Sequence, residues 1–182
     1  MHSVSEKLRR FSELSGRIVA WLTLPMVLGT FVVVVLRYVF DLGWIWMQES
    51  IIWMHAAVFM LAAAYTLNRD EHVRVDVIYR GMRPERKALV NLAGTVLFLL
   101  PVAVFLVVTS FDYVAVSWQI GESSREAGGL PFPFVPLLKT VIPVTALMLI
   151  AQGVAGALDD ALVLAGKAPP REPVEAPDGE GP

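Results

Sequence analysis

The chain has 182 residues, 55% of them hydrophobic, a formal net charge of −2 and no cysteine. The missing thiols exclude disulfides, thiol catalysis and thiolate metal sites. A soluble domain of this size has no need of uncharged apolar runs of membrane-spanning length, and the chain contains four: Ile18 to Leu36, Ser50 to Asn68, Ala88 to Phe111 and Thr140 to Leu158.

Each run has about the 17–25 residues that cross a hydrocarbon core as a helix. Helices satisfy their own backbone hydrogen bonds in lipid, which open strands do not. The expected fold is an all-α integral membrane domain over residues 17–165. Its four transmembrane helices are predicted at about 17–39, 46–68, 85–111 and 137–159.

Residues 1–16 precede them. Leu8, Phe11, Leu14 and Ile18 fall three or four apart, opposite Lys7, Arg9 and Arg10, which predicts a short amphipathic lead-in on the membrane surface. The first run follows basic residues, as a signal peptide would, but it is long and no small-x-small site closes it before Arg37-Tyr38. It is read as a retained helix. Pro25, Pro101 and Pro143 lie inside three of the runs and predict helix bending.

At the end of helix one stand Arg37 and Tyr38, and Trp46-Met47-Gln48-Glu49 opens helix two. Trp46, Glu49 and Trp53 share a helical face at i, i+3 and i+7. A carboxylate at the membrane edge needs water or a partner, and Arg37 is the candidate. The alternative is an aromatic belt with snorkelling charges. His55 is the one ionisable residue well inside any run. A relay needs several such groups, so a neutral His hydrogen-bonded to a neighbouring helix is the expectation.

Helix two is followed by Glu71-His72-Val73-Arg74-Val75-Asp76. His72 and Asp76 would stack on a helix, but two ligands do not complete a metal site. A solvated loop also fits. The valines alternating with His72, Arg74 and Asp76 favour a third reading, a structured interfacial element joining helices two and three. Pro84 and Glu85 then suit the first turn of helix three.

The third connection, Asp112 to Lys139, carries Ser117-Trp118, Glu122-Ser123-Ser124-Arg125 and Gly128-Gly129-Leu130-Pro131. It reads either as an interfacial loop with aromatic anchors or as a docking surface in which Trp118, Arg125, Gly128, Gly129 and Pro131 meet a partner. Helix four carries small residues four apart, Ala151/Ala155 and Gly153/Ala157, suited to close helix approach. Residues 166–182, rich in Pro, Glu and Gly, are expected to form a disordered tail. Lys and Arg concentrate in the N-terminal segment, the second connection and the tail, which predicts both termini in the cytoplasm. No internal repeat suggests inverted transporter halves, and no convergent acid, base and nucleophile suggests an enzyme.

Arg37-Tyr38-Val39-Phe40, Trp46-x-x-Glu49 and His72-Val73-Arg74-Val75-Asp76, in that order and within a four-helix layout, resemble the DctQ-like small membrane subunit of tripartite ATP-independent periplasmic (TRAP) transporters. The resemblance covers roughly residues 10 to 165. It implies a non-catalytic subunit of the bacterial inner membrane. Its partners would be a large membrane subunit, a periplasmic substrate-binding protein and membrane lipids, with no nucleic acid and no cofactor. It implies sodium-coupled import of organic acids, with substrate and sodium sites in the large subunit. The small subunit would brace that subunit and help dock the binding protein. Arg37, Trp46, Glu49, His72, Arg74 and Asp76 become structural and interaction residues, and the Gly128 to Pro131 region resembles branches handling keto or hydroxy acids. Two other classes remain: the membrane anchor of a redox complex, and a self-contained small transporter. A dihaem anchor is excluded, because of His2, His55 and His72 at most one lies at membrane depth.

Overall fold

The computed structural model describes Gly16, residues 19–68, Tyr79 and residues 81–169. The Glu71 to Asp76 run, including His72, Arg74 and Asp76, lies outside the described residues, as do residues 1–15 and 170–182. Among the described residues the fold is all helical: α1 (Thr23–Val39), α2 (Ile45–Asn68), α3 (Pro84–Gly94), a π-turn (Thr95–Leu99), α4 (Leu100–Gln119) and α5 (Phe134–Leu164). Three helical stretches are long and apolar enough to cross a membrane: Ile45–Leu67, Pro84–Gln119 and Phe134–Leu164. Helix α1, with 17 residues, spans roughly 26 Å at 1.5 Å per residue and sits at the lower edge of that range.

The first run is therefore shorter as a helix than its composition predicts, and Pro25 explains why. Proline has no N–H to donate back to residue 21, and its ring crowds that carbonyl. The chain turns at Trp21–Leu22, and Pro25 falls in the first turn of α1, where the missing donor costs nothing. Thr23 Oγ1 donates to the Ala20 carbonyl across the break at 2.6 Å. Pro25 thus interrupts the helical path between residues 19–20 and α1. Pro101 acts differently again. The backbone widens into the π-turn just before it, with the Leu100 amide bonded to the Thr95 carbonyl, an adjustment that relieves proline in membrane helices. Pro143 alone lies inside a continuous helix.

The helices form a row more than a closed bundle. α1 packs on α2, α2 on α5, and α5 on α3, the π-turn and α4. Lipid tails are as apolar as the side chains, so close packing and not hydrophobicity must bring the helices together. The contacts accordingly use small residues. Ala57 and Ala64 are buried on α2, Ala103, Ser110 and Ser117 on α4, and Ala146, Gly153 and Ala155 on α5. Ala103, Ser110 and Ser117 recur every seven residues, a seam along one side of α4. A Cβ on Gly153 would stand 2.8 Å from Leu99 Cδ2, so glycine is what admits the widened π-turn. Of the four small residues expected to pack, Gly153 and Ala155 are buried and Ala151 and Ala157 half-buried.

Helix α4 runs eight residues beyond its predicted end at Phe111, and α5 starts three residues early. Asp112 does not stop α4, because its side chain is exposed and the helix keeps its backbone hydrogen bonds through it. The connection shrinks to residues 120–133, and Ser117 and Trp118 become last-turn residues of α4. At the α1–α2 connection, Asp41 takes a left-handed conformation (φ 54°), which aspartate tolerates better than most residues. The Leu42 amide returns to the Leu36 carbonyl at 2.9 Å.

Candidate functional site: a loop held by two carboxylates

The 120–133 loop is positioned by residues outside it and within it. Glu49, one turn into α2, reaches it from outside. One carboxylate oxygen accepts from Ser124 Oγ at 2.5 Å and the other from the Leu130 amide at 2.6 Å. The Trp46 amide at the start of α2 donates to the Gly128 carbonyl at 3.1 Å. Glu49 is half-buried and Leu130 buried. The contact thus places hydrogen bonds to a charged acceptor in a partly dry setting, where such bonds are strongest.

The loop is folded to fit. Ser124 N bonds to the Leu130 carbonyl at 3.0 Å, Gly129 N to the Glu126 carbonyl at 3.0 Å, and Glu126 N to Ser124 Oγ at 3.1 Å. Gly128 has φ +79°, with nothing near the position a Cβ would take. Gly129 is constrained by space: its Cβ would collide with the Ser124 side chain and stand 2.8 Å from Glu49 Oε2. Pro131 accepts from the Phe134 amide at 3.1 Å, leading the chain into α5. There the Phe134 carbonyl accepts from Trp53 Nε1 at 3.2 Å.

A second network closes the other end. Glu122 Oε2 accepts from Ser117 Oγ at 2.6 Å and forms an ion pair with Lys139 at 2.5 Å. The Lys139 ammonium lies 4.0 Å from the centroid of the Tyr113 ring, a cation–π geometry. Trp118 Nε1 donates to Thr140 Oγ1 at 3.0 Å, and its ring meets Phe132 edge-on at 5.9 Å. The Lys139 ammonium, then the Ser117 hydroxyl, hold the Glu122 carboxyl below its ordinary value of 4.5.

Several expectations change here. Arg37 is exposed and makes no ion pair among the described residues; the carboxylate it was expected to meet is already satisfied by Ser124 and Leu130. Trp46 is exposed as a side chain and contributes its amide. Arg125 is exposed, while Trp118, Gly128, Gly129 and Pro131 are used to shape the loop. His55 lies on an exposed face of α2 without a hydrogen bond among the described residues, not against a neighbouring helix. Sequence reasoning missed Ser124, the Leu130 amide and the Glu122–Lys139–Ser117 network. Only the local Ser117–Glu122 spacing hinted at any of them. Among the described residues no three His, Asp or Glu side chains gather as a metal site.

Apolar helices of membrane-spanning length, joined in a row, define a multi-pass membrane protein. Residues 26–162 match the family described as tripartite ATP-independent periplasmic transporters, DctQ component, and the chain belongs to that family. The family is a transporter component and not an enzyme family. Searches of curated proteins and of solved structures gave no match.

Proposed function

We propose that this chain is the small membrane subunit of a sodium-coupled, binding-protein-dependent TRAP transporter importing organic acids. It braces the large membrane subunit and presents the 120–133 loop to the periplasmic binding protein. The observation that carries this reading is the clamp of Glu49 on Ser124 and Leu130. It ties the loop to α2, 75 and 81 residues earlier in the chain, and leaves Arg125 and Phe132 exposed. A surface fixed at this expense of polar contacts suits docking better than a mobile linker.

The same clamp supports the orientation. The α1–α2 connection and the 120–133 loop share one end of the row, and that end carries few basic residues, Arg37, Arg125 and Lys139. It faces the periplasm, with α1 as a fourth span and both termini in the cytoplasm of the inner-membrane protein. His72, Arg74 and Asp76 then lie on the cytoplasmic side as a junction between spans.

Reconstitution tests the reading. The complete transporter, carrying Glu49→Ala, is expected to lose most binding-protein-dependent uptake while the binding protein keeps its substrate affinity. Unchanged uptake would remove the loop from the function. Uptake by the chain alone would sink the subunit reading.

A further inference from the structure

His55 is the eleventh of the 23 residues of the Ile45–Leu67 span. It therefore lies near the bilayer centre, roughly 15 Å from either interface. Long Lys and Arg side chains snorkel out of such positions, but an imidazole is too short to do so. The side chain is exposed and has no hydrogen-bond partner among the described residues. A neutral imidazole carries one donor and one acceptor, and lipid tails satisfy neither.

The position on α2 is equally specific. Ile51 faces α1 at Gly29, while Trp53 reaches the start of α5 and Ala57 and Ala64 are buried. Helical periodicity sets His55 outside both contacts, on a face shared with Ile52 and Phe59, which are 63% and 75% exposed. Ile52 also lines a cleft of about 290 Å³ with Glu49, Trp53, Leu130 and Phe134. One continuous surface thus leads from the clamped loop to mid-membrane. Its polar demand at the centre is one that lipid cannot meet.

We propose that the Ile52–His55–Phe59 face is the seat of a transmembrane helix of the large membrane subunit, and that this helix hydrogen-bonds the His55 imidazole. The inference rests on the subunit reading above and adds the surface and the polar contact. Lipid is the poorer occupant because it offers no partner at this depth. A second copy of the chain is tested directly.

The chain has no cysteine, so a single introduced thiol is its only one. A photo-crosslinker is attached to His55→Cys, Phe59→Cys or, as a control on α4, Phe105→Cys. Each full chain is co-expressed with the large subunit, recovered by an affinity tag and illuminated in lipid nanodiscs. Adducts to the large subunit at positions 55 and 59 support the proposal. In parallel, His55→Leu should weaken recovery of the large subunit about 3- to 10-fold, and His55→Gln should retain most of it. Recovery of an intact complex with no adduct at 55, or an adduct at 105 without one at 55, overturns the inference and leaves the subunit reading standing. An adduct to a second copy of this chain overturns the choice of occupant. Failure to recover any large subunit with the wild-type chain overturns both.

Discussion

Two carboxylates hold the 120–133 loop, one from outside it and one from within. Glu49 sits on α2, 75 and 81 residues from the groups it binds, and meets two neutral donors. Glu122 belongs to the loop, and its partners Lys139 and Ser117 are 17 and 5 residues away. The first contact joins packed helices that lie far apart in sequence; the second closes a connection between helices that follow one another in the chain. Loop-closure entropy grows with separation, so the Glu49 contact carries the tertiary information. The Glu122–Lys139 pair is half-buried, but it closes a far shorter stretch of chain and so adds less tertiary constraint.

The comparison predicts unequal consequences, the largest at Glu49. Glu49→Ala leaves the buried Leu130 amide without an acceptor, at a cost of about 2 kcal/mol or more with the lost Ser124 bond included. Hydrogen exchange of the Leu130 amide should accelerate roughly 30-fold or more, while amides in the middle of α4 stay protected. Equal acceleration after Glu122→Gln would erase the distinction between the two carboxylates.

Adjacent glycines give the next test. Gly129→Ala forces a Cβ into Ser124 and Glu49, which should cost about 1–3 kcal/mol of loop stability. Gly128→Ala meets no atom and suffers only its φ of +79°, about 1–2 kcal/mol. Combining Gly129→Ala with Ser124→Gly should recover part of the loss, since the nearest obstacle is gone. The same substitution should do nothing for Gly128→Ala.

The Glu122 end should respond to pH. Its carboxyl is held below 4.5 by Lys139 and then Ser117. A carboxyl with a depressed folded value lends stability above its unfolded value and loses it as pH falls through the folded one. The melting difference between wild type and Glu122→Gln should therefore be constant at neutral pH, begin to shrink near pH 4.5 and vanish as the pH falls through the depressed folded value. A difference that persisted in acid would mean that Ser117 and the loop backbone, not the ion pair, hold this end.

Much of the frame was legible in the sequence because lipid imposes one rule on every span. Uncharged length identified the helices from Ser50, Ala88 and Thr140 onward. Element ends were less legible. Asp112 reads as a stop in an apolar run, yet a helix leaving the membrane keeps its backbone bonds, and α4 continues to Gln119. Trp46 and Glu49 were visible as site residues, but not their partners. Charge suggests a charged partner, whereas Glu49 takes a hydroxyl and an amide that only the folded loop brings near. His55 was visible as an anomaly, but no periodicity could say which side of α2 the row would leave uncovered.

Arg37 gives the smallest expected effect and the sharpest check on why Glu49 matters. It closes α1 as the basic residue of the last turn, where a cation favours the helix dipole, and it is exposed. Arg37→Ala should change loop stability by no more than about 0.5 kcal/mol, and Leu130 amide exchange should be unmoved. Arg37→Glu combined with Glu49→Arg should be as damaging as Glu49→Arg alone, because the lost groups are acceptors for Ser124 and Leu130 and not a charge for Arg37. If the swap restored protection at Leu130, the two residues would be exchanging a direct interaction. The loop would then be held by charge between helices one and two, not by an acceptor presented to its backbone.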